Sequence, residues 1–221
     1  MKSEARELLP AEAYVDLVSN PLIDHWSHIR CGSYTAEWVA KAVGVRSLSS
    51  NKLLRGPVWF DLFRPVFPRD MKELFKAHNM TTLEIRLDAI TNEERLEWIR
   101  TEIALKKRPP VLLIRANTLH WIAVGGYSDV KKVFYIYDSR IGSDSFDNRL
   151  PIGNMEMPYD VLLQEWSGRW FLRYVALIIT NVQVRDLKKE KISSILESYA
   201  RGELIQKVPL QSSMSQSRHS D

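Results

Sequence analysis

Leu119-His120-Trp121-Ile122-Ala123-Val124-Gly125-Gly126-Tyr127 and, shortly after it, Val133-Phe134-Tyr135-Ile136-Tyr137-Asp138 are the stretches whose reading decides the fold. Both are rich in apolar, aromatic and β-branched residues, and the polar Ser128-Asp129-Val130-Lys131-Lys132 between them suits a turn, so the pair reads as a β-hairpin. With that turn, Tyr127 is expected to face Val133, which sets Ile122 opposite Asp138 and makes His120 its diagonal neighbour. Residues two apart share a strand face, so His120 and Asp138 point the same way at ~7 Å, within reach of a side-chain hydrogen bond. A slip of one residue would send them to opposite faces. Gly125-Gly126 lies inside the strand rather than between strand and helix; it reads as a bulge or a close backbone approach, not as a phosphate loop.

Outward from the hairpin, Val111 to Arg115 and Arg173 to Thr180 read as further strands, with a helix from Tyr159 to Trp166 between hairpin and last strand. On the amino-terminal side, Thr81 to Leu87 alternates like a strand, and a short helix from Asp70 to His78 ends at Asn79. Thr91-Asn92-Glu93-Glu94 is a capping box, in which the Thr hydroxyl accepts from the backbone and Glu94 reaches back, so a helix follows and ends before Pro109. Cys31 to Val43 carries apolar or aromatic side chains at Tyr34, Trp38, Val39, Ala42 and Val43 and stops at Gly44, which makes a buried helix with Cys31 in its first turn. The aromatic stretch containing Trp59, Phe60, Phe63 and Phe67, broken by Gly56-Pro57, Pro65 and Pro68, reads as irregular structure over the core. Helices ahead of a run of strands indicate an α+β domain, not a doubly wound sheet.

Composition bounds the function. The chain has 221 residues, 45% hydrophobic and 26% charged, enough for one well-buried core. Its single cysteine, Cys31, excludes an intramolecular disulfide and any cysteine-rich zinc site. The charge of +4 and pI near 9.1 come from cations scattered among acids. Only Lys106-Lys107-Arg108 and Lys188-Lys189-Glu190-Lys191 cluster, both at expected helix ends, so no nucleic-acid partner is indicated. The longest apolar stretch, Val175 to Ile179, is far shorter than the ~20 residues that span a bilayer. Met1 to Glu7 does not read as a signal peptide, and the expected compartment is the cytoplasm, with the thiol reduced.

Cys31-Gly32 opening a helix, then His120-Trp121-Ile122-Ala123-Val124-Gly125-Gly126-Tyr127, then Tyr135-Ile136-Tyr137-Asp138-Ser139 resembles the papain-like cysteine peptidases of the bacteriocin-processing, double-glycine-leader type. Lys107-Arg108-Pro109-Pro110-Val111 and Met157-Pro158-Tyr159 through Trp166 resemble that family's flanking elements. The resemblance covers roughly residues 20–182. It implies a papain-like fold, a helical amino-terminal part on a carboxy-terminal antiparallel sheet, over residues 10–185. A carboxy-terminal helix at 186–206 is expected to pack on the domain or a protein partner, and 207–221 to form a disordered tail.

For chemistry the resemblance implies Cys31 as nucleophile, His120 as base and Asp138 as its orienter, acting on a peptide or protein substrate through a thioester, with no cofactor or metal. The family carries a glutamine six residues before the nucleophile. Here that position is His25, an oxyanion-hole candidate whose ring N–H can donate, with Ser27 and Asn20 as fallback donors. Asp24-His25-Trp26-Ser27-His28 also admits a metal reading, because His25 and His28 would share a helical face. Two further functions remain open on the same fold: acyl transfer, and peptide or protein binding without turnover.

Overall fold

The computed structural model describes residues 8–16, 31–45, 67–116, 118–141, 149–168 and 172–182, all within the compact unit Met1–Gln183. Four helices and seven strands occur among these residues: β1 (Glu12–Tyr14), α1 (Cys31–Ala42), α2 (Pro68–Ala77), β2 (Met80–Arg86), α3 (Asn92–Ala104), β3 (Val111–Ala116), β4 (Thr118–Ser128), β5 (Val133–Asp138), β6 (Met155–Pro158), α4 (Tyr159–Trp166) and β7 (Val175–Val182). The carboxy-terminal helix and tail expected at 186–221 lie outside the described residues, as do the aromatics from Trp59 to Phe63. Phe67 is described, and it stands exposed at the start of α2.

Local chemistry sets the helix ends. Gly44, at φ 76°, closes α1: the Val45 N–H reaches Ala40 O at 2.8 Å and the Gly44 N–H reaches Lys41 O at 3.1 Å, a Schellman pair that glycine permits without steric cost. At the head of α3 the Glu94 N–H donates to Thr91 Oγ1 and the Thr91 N–H to Glu94 Oε2 at 2.7 Å, the expected capping box. Helix α2 begins two residues earlier than its composition suggests, because Pro68 needs no hydrogen bond in a first turn and Asp70 accepts from the Phe67 N–H.

The strands form one antiparallel sheet in the order β2-β7-β3-β4-β5-β6, with β1 pairing on β4 beyond the end of β3. The interior strands β3, β4 and β5 are buried almost throughout, as their unbroken apolar composition requires. The sheet is therefore not wholly carboxy-terminal: β1 and β2 come from the amino-terminal part. Strands β1 and β6 are short, and their sequences carry no strand signal.

The hairpin departs from the expected register in one half. Next to the turn, Tyr127 pairs with Phe134 and Ser128 with Val133, so Tyr127 does not face Val133. A bulge between Val124 and Gly126 then shifts the ladder by one residue, and Ile122 returns opposite Asp138. Were Gly125 paired with Ile136 instead of bulged, the turn-side register would run on and place Ser139 opposite Ile122, with Asp138 on the face away from His120. Both glycines of this stretch are closely packed. A Cβ on Gly125 would lie 2.7 Å from Ile152 Cδ1, and one on Gly126 would lie 2.5 Å from Tyr14 Cδ1.

Candidate active site

Helix α1 meets the hairpin along one face, and its spacing decides what meets what. Cys31, Thr35 and Trp38 recur at helical intervals. Thr35 Oγ1 donates to Trp121 O at 2.9 Å, and the Trp38 ring stacks on Tyr137 with centroids 5.3 Å apart and planes 9° off parallel. Pinned at these two points, α1 brings the Cys31 thiol beside the His120 ring, near enough for each group to shift the titration of the other. The backbone N–H groups of Trp121 and Gly32 are also directed at the sulfur.

His120 sits between two partners. Its Nε2 lies 2.8 Å from Asp138 Oδ1, which leaves Nδ1 as the nitrogen available to Cys31. All three residues are buried: Cys31 at 7%, His120 at 3% and Asp138 at 0% exposure. Burial alone would push the imidazole towards its neutral form, but the hydrogen bonds to Asp138 and Cys31 and their charges raise it to about 9. Burial likewise pushes the Cys31 thiol up, yet its bond to His120, the imidazolium charge and the two backbone N–H groups outweigh this and bring it below its ordinary value. Asp138 is held well below the usual carboxylate range by His120 and Arg140 against its own burial.

Asp138 is fixed from several sides. The Asp138 N–H donates to Asn154 Oδ1 at 2.8 Å and Asn154 Nδ2 returns a bond to Asp138 O at 2.9 Å. The Arg140 N–H donates to Asp138 Oδ1 at 2.8 Å and its guanidinium grips the same carboxylate. Thr35, Arg140 and Asn154 escaped the sequence reading. Thr35 carried a signal, since it lies one helical turn beyond Cys31. Arg140 carried a weaker one, two residues past an aspartate where a turn begins; Asn154 carried none.

Other sequence candidates fall elsewhere. His25, Ser27, Asn20 and the Asp24–His28 stretch lie outside the described residues, so the oxyanion and metal readings have no geometry here. Trp121 is fully buried. Asp129 belongs to a separate network, gripped by Arg100 at 2.9 Å and by the Tyr159 hydroxyl at 2.9 Å. The Lys106–Arg108 cluster is partly neutralised: Lys106 and Arg108 both reach the buried Glu102 carboxylate at 2.7 Å. Among the described residues no helix is long and apolar enough to cross a membrane.

No family model and no curated protein matches the chain. Among solved structures it is similar to a double glycine motif protease from an AMS/PCAT transporter, solved in complex with the leader peptide. That is a protein of the kind the sequence resembles. The identity is 14%, the match covers 75% of this chain and 94% of that one, and the TM-score is 0.42. A likeness at that level carries no argument, and the reading of the site stands on its own geometry.

Proposed function

We propose that this chain is a papain-like cysteine hydrolase that cleaves a peptide or amide bond through Cys31, His120 and Asp138. The observation that supports the reading is the buried His120–Asp138 pair, 2.8 Å apart, with the Cys31 thiol within electrostatic reach of the imidazole. An arrangement of this kind supports a thiolate–imidazolium pair near neutrality.

The chemistry follows from proton positions. The Cys31 thiolate attacks the carbonyl carbon, and the developing oxyanion takes a hydrogen bond from the Cys31 N–H, with His25 the second donor that its place in the sequence suggests. As the tetrahedral species collapses, His120 gives its Nδ1 proton to the leaving nitrogen, and an amine departs from a thioester on Cys31. Water then adds to the thioester carbon and passes a proton to His120, and loss of the acid restores the thiolate–imidazolium pair. Asp138 stays ionised throughout and fixes the imidazole tautomer and orientation. An amine in place of water would make the same intermediate an acyl transfer.

One observation favours binding without turnover, namely histidine rather than glutamine at position 25. The probe p-nitrophenyl acetate separates the readings. A burst of nitrophenolate followed by steady release supports the hydrolase, and a burst alone supports a site that acylates without turnover. No burst, with the same trace from Cys31→Ser, sinks the enzyme reading. The pH dependence of iodoacetamide alkylation gives an independent check: the midpoint should lie below the ordinary thiol value and rise in His120→Ala.

A further inference from the structure

A wholly buried carboxylate needs partners for both of its oxygens. In Asp138, Oδ1 accepts from His120 Nε2 and from the Arg140 N–H, each at 2.8 Å. Oδ2 is served by the Arg140 guanidinium, through Nη2 at 2.5 Å and Nε at 3.0 Å. The Arg140 side chain is 33% exposed, so it links the buried carboxylate to the surface. Its charge also acts on Cys31 from α1 and Glu165 from α4. Arg140 therefore faces three acidic groups, with His120 the other cation on Asp138.

We propose that Arg140 is a positioning residue of this site, holding Asp138 ionised and aimed at His120 while placing a second cation within electrostatic reach of Cys31. The inference rests on the reading of Cys31 as a nucleophile. Without the guanidinium, Oδ2 becomes a buried oxygen with no donor among the described residues, and Asp138 must rotate away from His120 or take up a proton. Either response weakens the imidazolium, and the lost cation removes direct stabilisation from the thiolate. Both effects raise the pH at which Cys31 becomes reactive. One effect opposes them: an ionised Asp138 freed of Arg140 gives His120 its whole charge, which would lower that pH.

Cys31 is the only cysteine, so iodoacetamide labelling reports on this site alone. The pH midpoint of labelling is measured in the parent, His120→Ala, Arg140→Gln and Arg140→Lys, with thermal melting of each. Arg140→Gln should raise the midpoint by about half to one pH unit, read as roughly three- to tenfold slower labelling below it. Arg140→Lys keeps the cation but loses the fork, and should fall between parent and Arg140→Gln. A purely structural arginine would lower the melting temperature and leave the midpoint alone. A folded Arg140→Gln whose midpoint is unmoved or lowered overturns the proposal. Should Arg140→Gln not fold, Arg140→Lys decides: a raised midpoint supports the proposal and an unmoved one overturns it. If the parent midpoint is that of an ordinary thiol and His120→Ala does not shift it, the nucleophile reading itself has failed, a result distinct from failure at Arg140 alone.

Discussion

His78 and His120 are both buried, at 0% and 3% exposure, and they titrate on opposite sides of an ordinary histidine. His78 caps the end of α2 beside α1, and its two ring nitrogens have no hydrogen-bond partner among the described residues. Burial drives its pKa down to about 4; the Glu37 carboxylate opposes this and the Lys41 cation adds to it. His120 suffers the same burial, but Asp138 at 2.8 Å and the Cys31 thiol reverse the sign and hold it at about 9. Burial sets the default direction and hydrogen-bonded charge overturns it. One histidine is kept neutral as packing, and the other is kept charged beside a thiol.

The largest expected effect comes from making His120 resemble His78. Asp138→Asn keeps the shape and an acceptor oxygen but removes the charge. The His120 pKa, followed by NMR of the ring protons, should fall from about 9 to below the ordinary 6.5, since burial then prevails. The Cys31 labelling midpoint should rise with it. A value still well above 6.5 in Asp138→Asn would show that Asp138 is not the source of the charge.

A smaller effect is expected from acid, and it separates the two residues by sign. The folded pKa of His78 lies below that of the unfolded chain, so between about 6.5 and about 4 the unfolded chain binds a proton that the native state refuses. Stability should fall as pH drops through that window, by up to about 3 kcal/mol, and level off below it. His120 behaves in the opposite sense: its raised pKa gives stability that is fully present below 6.5 and lost as pH rises through about 9. Urea unfolding at pH 7 and at pH 4.5, for the parent and for His78→Phe, checks the acid limb. The parent should lose stability between the two and His78→Phe should lose distinctly less; equal losses would place the acid sensitivity elsewhere.

What the sequence discloses about these two sites differs for physical reasons. The hairpin, the helix carrying Tyr34 and Trp38 with its stop at Gly44, and the capping box at Thr91 are written in local composition, so these features were legible to within a residue or two. The pairing of His120 with Asp138 was legible because side-chain alternation is a period-two rule. The route to it was not. Register at the turn depends on where the bulge falls, and the bulged Gly125 packs against Ile152, across a long sequence separation. Strands β1 and β6 exist because β4 and β5 offer them partners, and so left no trace in their own residues. For the same reason Asn154, which is bonded to the Asp138 backbone from another segment, could not be read in advance, and neither could the solitary burial of His78.

The smallest expected effect tests whether the bulge separates the two histidines. Gly125→Ala places a methyl 2.7 Å from Ile152 Cδ1, and because that atom is the end of a flexible side chain the cost should be about 1 kcal/mol. Ile152→Val removes the nearer carbon but leaves Cγ1 at 2.9 Å, so the double variant should recover part of the loss, as urea unfolding of the single and double variants would reveal. Strain at this point bears on the register of Asp138, and through it on His120. Helix α2 and His78 have no part in the ladder. The His120 pKa in Gly125→Ala should therefore move down from about 9 while that of His78 stays near 4. If both histidines shift together, the bulge acts through general loosening of the core rather than through register, and the distinction between the two sites is weaker than their hydrogen bonds imply.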